Sequence, residues 1–306
     1  MNILVTGGAG FIGSHIVDAL IQKGHHVVVI DNLSTGKKEN VNSGVTLIEF
    51  DINDSSLLDI FKREKIEVVF HTAAQIDVRK SVANPVEDAR HNILGSINVL
   101  EACRAHHIKK IIFSSTGGAI YGDTEIIPTP ETHAEQPISP YGIAKLAVEK
   151  YLHYYQVVHG LNYTILRYAN VYGPRQNSKG EAGVVALFCD QLVAGKSPII
   201  NGDGTQTRDY VYVGDVVNAN LAALDGDHVG IFNIGTGIET DINKLSALLV
   251  EALGKPIVFS YGPAKPGEQR RSCLDYSYAK KDLKWQPYVS LADGLHDTFN
   301  WFKGRT

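Results

Sequence analysis

Gly8-x-Gly10-x-x-Gly13, just after the branched apolar run Ile3 to Val5 and Thr6, has residue types and spacing suited to a ligand. Gly7, Gly8, Gly10 and Gly13 offer a tight turn and an approach free of side chains, and the N–H groups of a following helix can hold a pyrophosphate. Asp31, eighteen residues past Gly13 at the end of a second apolar run, stands where a carboxylate accepts hydrogen bonds from a ribose. It also repels a 2′-phosphate, and Asn32 rather than an arginine follows, so the pattern predicts NAD over NADP.

Tyr141 and Lys145, in Ser139-Pro140-Tyr141-Gly142-Ile143-Ala144-Lys145, are four apart and share one face of a helix. Ser139 reads as its cap and Pro140 as a first-turn residue. An unperturbed tyrosine has a pKa near ~10, too high for a base at neutral pH. A lysine one turn away, a cationic nicotinamide and a helix N-terminus all favour the phenolate. Thr116, closing Ser114-Ser115-Thr116, is a candidate third member that relays a proton or holds a substrate oxygen. The alternative is a strand-end threonine bonded to nearby backbone. Asp51 and Asn92 carry weaker signals, with a strand-end cap and a helix-surface residue as their plainer readings.

Strands alternating with helices must position these groups. Beyond the first unit, strands are expected at 45–52, 68–70, 111–113 and 161–167, with helices at 54–64, 86–105 and from 140 onward. That alternation predicts an α/β fold, a doubly wound parallel sheet, over residues 1–170. Small residues after the fourth strand, Ala73 and Ala74, let a cofactor lie against the sheet. From 171 to 306 the alternation loosens, with helical patterns at 181–195, 214–224, 241–252 and 291–302 and a short strand at 231–234. This half is expected to be a smaller α+β substrate-binding part, interleaved with the first and closing over the C-terminal edge of the sheet.

Composition narrows the class. The 306 residues are 44% hydrophobic and 20% charged, ordinary for a soluble globular chain, and the formal charge of −4 gives no field for nucleic acid. No apolar run approaches a membrane span. Cys103, Cys189 and Cys273 form no C-x-x-C pair and suit free thiols in a reducing cytoplasm. His25-His26 and His106-His107 fit solvated helix ends better than a metal site.

Several stretches together carry a resemblance: T-G-G-A-G-F-I-G, D-N-L-S-T-G, S-S-T-G-G-A-I-Y-G, Y-G-I-A-K, R-Y-A-N-V-Y-G-P-R and G-D-G-T-Q-T-R-D-Y. The chain resembles the extended short-chain dehydrogenase/reductase family, and within it nucleotide-sugar epimerases of the UDP-glucose (UDP-galactose) 4-epimerase type. The resemblance implies NAD contacts at Gly7, Gly10, Phe11, Ile12, Asp31, Asn32, Ser34, Gly36, Asp51, Ile52, Ala73, Ala74, Gln75, Asn92, Ser114, Tyr141, Lys145 and Ala169. It implies catalysis by Thr116, Tyr141 and Lys145. It implies a UDP-sugar held by Thr116, Tyr141, Asn170, Val184, Val185, Asn201, Arg208, Lys265, Glu268 and Ser272, and a homodimer formed through the helices at 86–105 and 141–159.

Four details refine what the resemblance implies. The family usually offers a hydroxyl where Gly117 stands, so Thr116 acts from a displaced position; Lys265 replaces a frequent arginine and loses its bidentate fork. Related dehydratases carry Asp-Glu after the threonine, whereas Gly117 and Gly118 supply no carboxylate for elimination. Ser272 occupies the place that flanks the sugar's 2-substituent, and its small size leaves room for an N-acetyl group. The expected activity is therefore C4 epimerisation of UDP-glucose and its N-acetylated counterpart. A UDP-glucuronate epimerase, another nucleotide-sugar oxidoreductase or a silent dinucleotide-binding regulator are the alternatives.

Overall fold

The computed structural model describes residues 1–179, 183–254, 257–264 and 269–304. Its main sheet holds seven parallel strands, β1 (Asn2–Thr6), β2 (His26–Asp31), β3 (Thr46–Glu49), β4 (Val68–His71), β5 (Lys110–Thr116), β6 (Asn162–Tyr168) and β7 (Gly230–Ile234). They lie in the order β7-β6-β5-β4-β1-β2-β3. The winding reverses at β1, which opens a crevice at the carboxyl ends of β1 and β4, the usual ligand position in a doubly wound sheet. The longer helices are α1 (Phe11–Gln22), α2 (Leu57–Glu64), α3 (Gly95–Ala105), α4 (Pro140–His159), α5 (Val184–Val193), α6 (Val213–Asp225), α7 (Ile242–Leu253) and α8 (Leu291–Lys303).

Strand residues alternate between two apolar layers. Ile3, Val5, Val27 and Val29 pack with Ile16, Val17 and Leu20 of α1 and with Val216, Ala219 and Ala223 of α6. Leu4, Val28, Ile30 and Phe113 face the other way, onto Leu57 and Phe61 of α2, Val99 and Cys103 of α3, and Val148 and Leu152 of α4. Both faces are dry, as the continuous apolar runs require.

The expected 86–105 helix exists as three joined pieces: Pro85–Ala89, a π-helical turn Arg90–Leu94, and α3. The break falls on Asn92, one of the candidate site residues, and such π turns favour functional positions. Sequence periodicity did not anticipate the helix Val78–Ala83, whose cap Asp77 accepts from Lys80 N.

Beyond residue 170 the pairing is short and non-sequential. Asn170–Tyr172 pairs with Tyr210–Tyr212, Thr207–Arg208 with Thr240–Asp241, and Ile199–Asn201 with Ser260–Gly262. A separate apolar core joins Val185, Phe188 and Leu192 of α5 to Leu245 and Leu249 of α7 and to Leu295 and Phe299 of α8. Yet α6 and β7 return to the main sheet, β7 in register with β6 from Gly230↔Thr164 to Ile234↔Tyr168.

Candidate active site

The glycine turn is pressed into the crevice. Gly7, at φ +70°, donates to Ile30 O at 2.7 Å, and a Cβ placed there would lie 2.7 Å from Ala73 N. No side chain caps α1, and its first turn carries no acid. The N–H groups of Phe11 and Ile12 therefore keep no helical acceptor, and the start of α1 suits an anion. The Asp31 carboxylate is 8% exposed; Oδ2 accepts from Ala9 N at 3.0 Å and Oδ1 from Leu33 N at 2.8 Å. Each oxygen keeps a lone pair for a ribose hydroxyl. Gly36 allows the turn to lie against this carboxylate, since a Cβ would stand 2.8 Å from both oxygens. Asn32 donates to Asp51 Oδ2, and Asn53 donates twice to Oδ1. Burial pushes the Asp51 carboxyl up, but these bonds outweigh it and hold it below its ordinary value. Ser34 is exposed and donates its N–H to Asn32 Oδ1, while Ile52 is buried against Gly95. These features fit NAD.

A buried hydrogen-bond chain forms the floor. Thr6 Oγ1 contacts His71 Nδ1 at 2.7 Å, and His71 Nε2 contacts Ser96 Oγ at 2.9 Å. Ser96 Oγ donates to Asn92 O, so Nε2 carries the proton and Nδ1 accepts from Thr6. Burial drives the His71 pKa down to about 3, which keeps the ring neutral. Asn92 then clamps the loop after Ala73 and Ala74: its Oδ1 accepts from Gln75 N, and its Nδ2 donates to Gln75 O and Asp88 Oδ1.

Tyr141 and Lys145 project from the start of α4, where Ser139 Oγ accepts from Gly142 N and Ser81 Oγ accepts from Tyr141 N. Lys145 is 4% exposed, donates to Ser114 O at 2.9 Å and sits 4.7 Å over the Phe113 ring. Burial lowers its pKa to about 8, although Glu149 and Asp88 pull the other way. The Tyr141 pKa is raised, by burial first and then by Asp88. Burial and Asp88 thus oppose the phenolate in the chain by itself, and a cationic nicotinamide would supply the opposite charge. Thr116 ends β5 and caps the turn Gly117–Ile120, its Oγ1 accepting from Ala119 N at 3.3 Å, which leaves its proton free to donate. Ala169, directly after β6, donates its N–H to Ile234 O.

Sequence reasoning missed what braces this trio. Arg167, fully buried, grips Glu149 at 2.5 Å, Glu135 at 2.6 Å and the Tyr121 hydroxyl at 2.9 Å. Ser115 donates to Glu149 Oε1, and Tyr121 donates to Asn233 of β7. Glu149 lies one turn beyond Lys145, and Arg167 opens R-Y-A-N; that pairing was the available signal.

Among the residues expected to hold substrate, Arg208 ends a two-residue strand and donates to Thr207 O. Its neighbour Asp209 is fully buried and accepts from Thr236 N and Oγ1, Gly237 N and Leu274 N. Asn170 donates its N–H to Asp209 O. Asn201 accepts from Gln206 through its carbonyl. Val184 and Val185 form the first turn of α5; the Val185 side chain is buried, which leaves its backbone for a ligand. Ser272 is buried opposite Gly118, whose Cβ would come within 3.6 Å of its hydroxyl. Lys265 and Glu268 lie outside the described residues. Among the described residues no His/Cys/Asp/Glu group could hold a metal, and no helix is long and apolar enough to cross a membrane.

Residues 3–235 match the model of the NAD dependent epimerase/dehydratase family, and the chain belongs to that family. It is 48% identical to a putative UDP-glucose 4-epimerase of Methanocaldococcus jannaschii, over 98% of each chain. Among solved structures it is similar to a Thermotoga maritima UDP-glucose 4-epimerase with UDP-glucose, at 52% identity and a TM-score of 0.97, covering 100% of this chain and 99% of that one. It is likewise similar to a Thermus thermophilus UDP-glucose 4-epimerase in complex with NAD, at 42% identity and a TM-score of 0.94 over 100% of both.

Proposed function

We infer that the protein epimerises carbon 4 of a UDP-hexose, with NAD, through a transient 4-keto sugar. The observation that carries this reading is Tyr141 and Lys145 on one helix face beside a dinucleotide crevice, with Thr116 at the strand end and glycines where an eliminating enzyme needs carboxylates. NAD, when bound, supplies the acceptor and donor of the carbon-4 hydride. Gly7, Gly10, Phe11 and Ile12 hold its pyrophosphate, Asp31 its adenosine ribose, and Lys145 its second ribose. As phenolate, Tyr141 takes the proton of the 4-hydroxyl; once the keto sugar has turned to present its other face, Tyr141 returns the proton to that same oxygen, with Thr116 donating to it. Arg208 and Asn170 hold the UDP pyrophosphate, so binding strength falls on the nucleotide and the hexose is free to turn.

The small Ser272, set opposite Gly118, supports N-acetylated substrates as well. Residues 1–170 form the NAD-binding part and 171–306 the substrate-binding part. Exposed Ile143, Tyr154, Val157 and Val158 along α4 support a homodimer through that helix. Three buried free cysteines fit the cytoplasm. The test incubates the purified protein, without added NAD, with UDP-glucose, UDP-N-acetylglucosamine and UDP-glucuronate. UDP-galactose should form from the first, and denatured protein should release NAD. Conversion of UDP-glucuronate alone, or absence of bound nicotinamide, overturns the reading.

A further inference from the structure

Asp88, in the short helix Pro85–Ala89, is 2% exposed and has no part in the chemistry above. Its Oδ1 accepts from Gln75 Nε2 and Asn92 Nδ2, both at 2.9 Å. Its Oδ2 is buried without a hydrogen-bond partner among the described residues. A bare carboxylate oxygen in the interior is costly unless its charge meets an opposite one. Pro85–Ala89 packs on α4, and the Asp88 charge acts through space on both Tyr141 and Lys145.

Lys145 needs such an anion. From β4 it is faced by neutral His71, from β5 by the Phe113 ring and Ser114 O, and on its own helix by Tyr141 and Glu149. Glu149 is already taken up by Arg167 and Ser115. Asp88, whose carboxyl is pushed up by burial while Gln75, Asn92, Lys145 and His91 pull it down, is the carboxylate of the helix packed on α4 that has an oxygen still uncommitted.

Building on the function proposed above, we propose that Asp88 is a positioning residue, a fixed counter-charge that Gln75 and Asn92 aim at the Tyr141–Lys145 pair. A negative charge there holds protons on both groups, so its removal lets both release them at lower pH. Asp88→Asn, close to isosteric, should slide the whole bell-shaped pH dependence of kcat/KM toward acid by roughly one pH unit, both limbs together. Asp88→Glu should return the limbs toward their original place. A merely structural Asp88 would lower the bell without moving it.

A second measurement needs no turnover. The phenolate absorbance of the holoenzyme, taken as a difference against the matching Tyr141→Phe protein, titrates Tyr141 alone. Its transition should move toward acid in Asp88→Asn. If wild type epimerises no UDP-hexose, the proposed function fails, yet this titration still decides the role of Asp88. Should Asp88→Asn fold poorly, Asp88→Ser gives the same readout. An unmoved Tyr141 transition overturns the proposal, as do unmoved limbs.

Discussion

The two sides of the crevice are built by opposite means. On the proposed dinucleotide side, the candidate contacts lie at the ends of parallel strands: the backbone of the Gly7 turn and of the uncapped start of α1, and the Asp31 carboxylate at the end of β2. On the substrate side, Arg208 and Asn201 hang on strands of two and three residues, paired with partners tens of residues away. One buried carboxylate, Asp209, ties that arrangement together. The first side is rigid by secondary structure. The second is rigid by a few long-range polar contacts, and so is easier to remodel and easier to break.

The largest effect should fall where the two sides meet. Tyr141→Phe is expected to lose roughly 10²–10⁴-fold in kcat, the range for a positioned acid–base group, while purified protein keeps its NAD. Retained turnover would remove Tyr141 from the chemistry. Gly7→Ala should strip the cofactor side alone, because a side chain at φ +70° also meets Ala73 backbone at 2.7 Å. Nicotinamide content after gentle purification should fall sharply. Asp209→Ala should do the converse. It leaves several buried donors unpartnered, so a stability loss of about 3 kcal/mol in urea titration and a raised KM for UDP-glucose are expected, with NAD content preserved. If Gly7→Ala and Asp209→Ala lose NAD alike, the contrast between the sides is wrong.

Smaller effects sharpen it further. Ser272→Tyr should abolish turnover of the N-acetylated pair and leave UDP-glucose largely unaffected, read as a ratio of kcat/KM values. A tyrosine variant that still handles acetylated sugars puts the pocket wall elsewhere. The His71 prediction concerns stability. Its folded pKa of about 3 lies below the ordinary 6.5, so in that window the unfolded chain binds the extra proton and acid favours unfolding. Wild type should lose up to about 1.4 kcal/mol per pH unit from this group as pH falls through the window. His71→Gln should show a shallower decline of the urea midpoint.

The same contrast explains what was legible. Gly8-x-Gly10-x-x-Gly13, Asp31 and the Tyr141–Lys145 spacing are local signals, because backbone geometry one turn or one strand long dictates them. The seven main strands are visible as short apolar runs for the same reason, although the run at 231–234 reads as part of the second half and not of the main sheet. Asp209 was silent, since its partners Thr236, Gly237 and Leu274 come from distant segments. Asp88 bonds Asn92 only four residues on, but nothing nearby marks its charge as buried. Arg167 left only the faint signal of its pairing with Glu149. The π turn at Arg90–Leu94 was equally hidden. A one-residue widening of a helix leaves the apolar period nearly intact.

The return of α6 and β7 to the main sheet makes the two sides inseparable as pieces. A fragment ending near residue 170 would leave β6 as an open edge and bare the apolar flank of α1, an invitation to aggregate. Grafting the substrate half of another enzyme onto this chain cannot be a single cut and paste. New specificity has to enter through point changes and through the loops between returning elements.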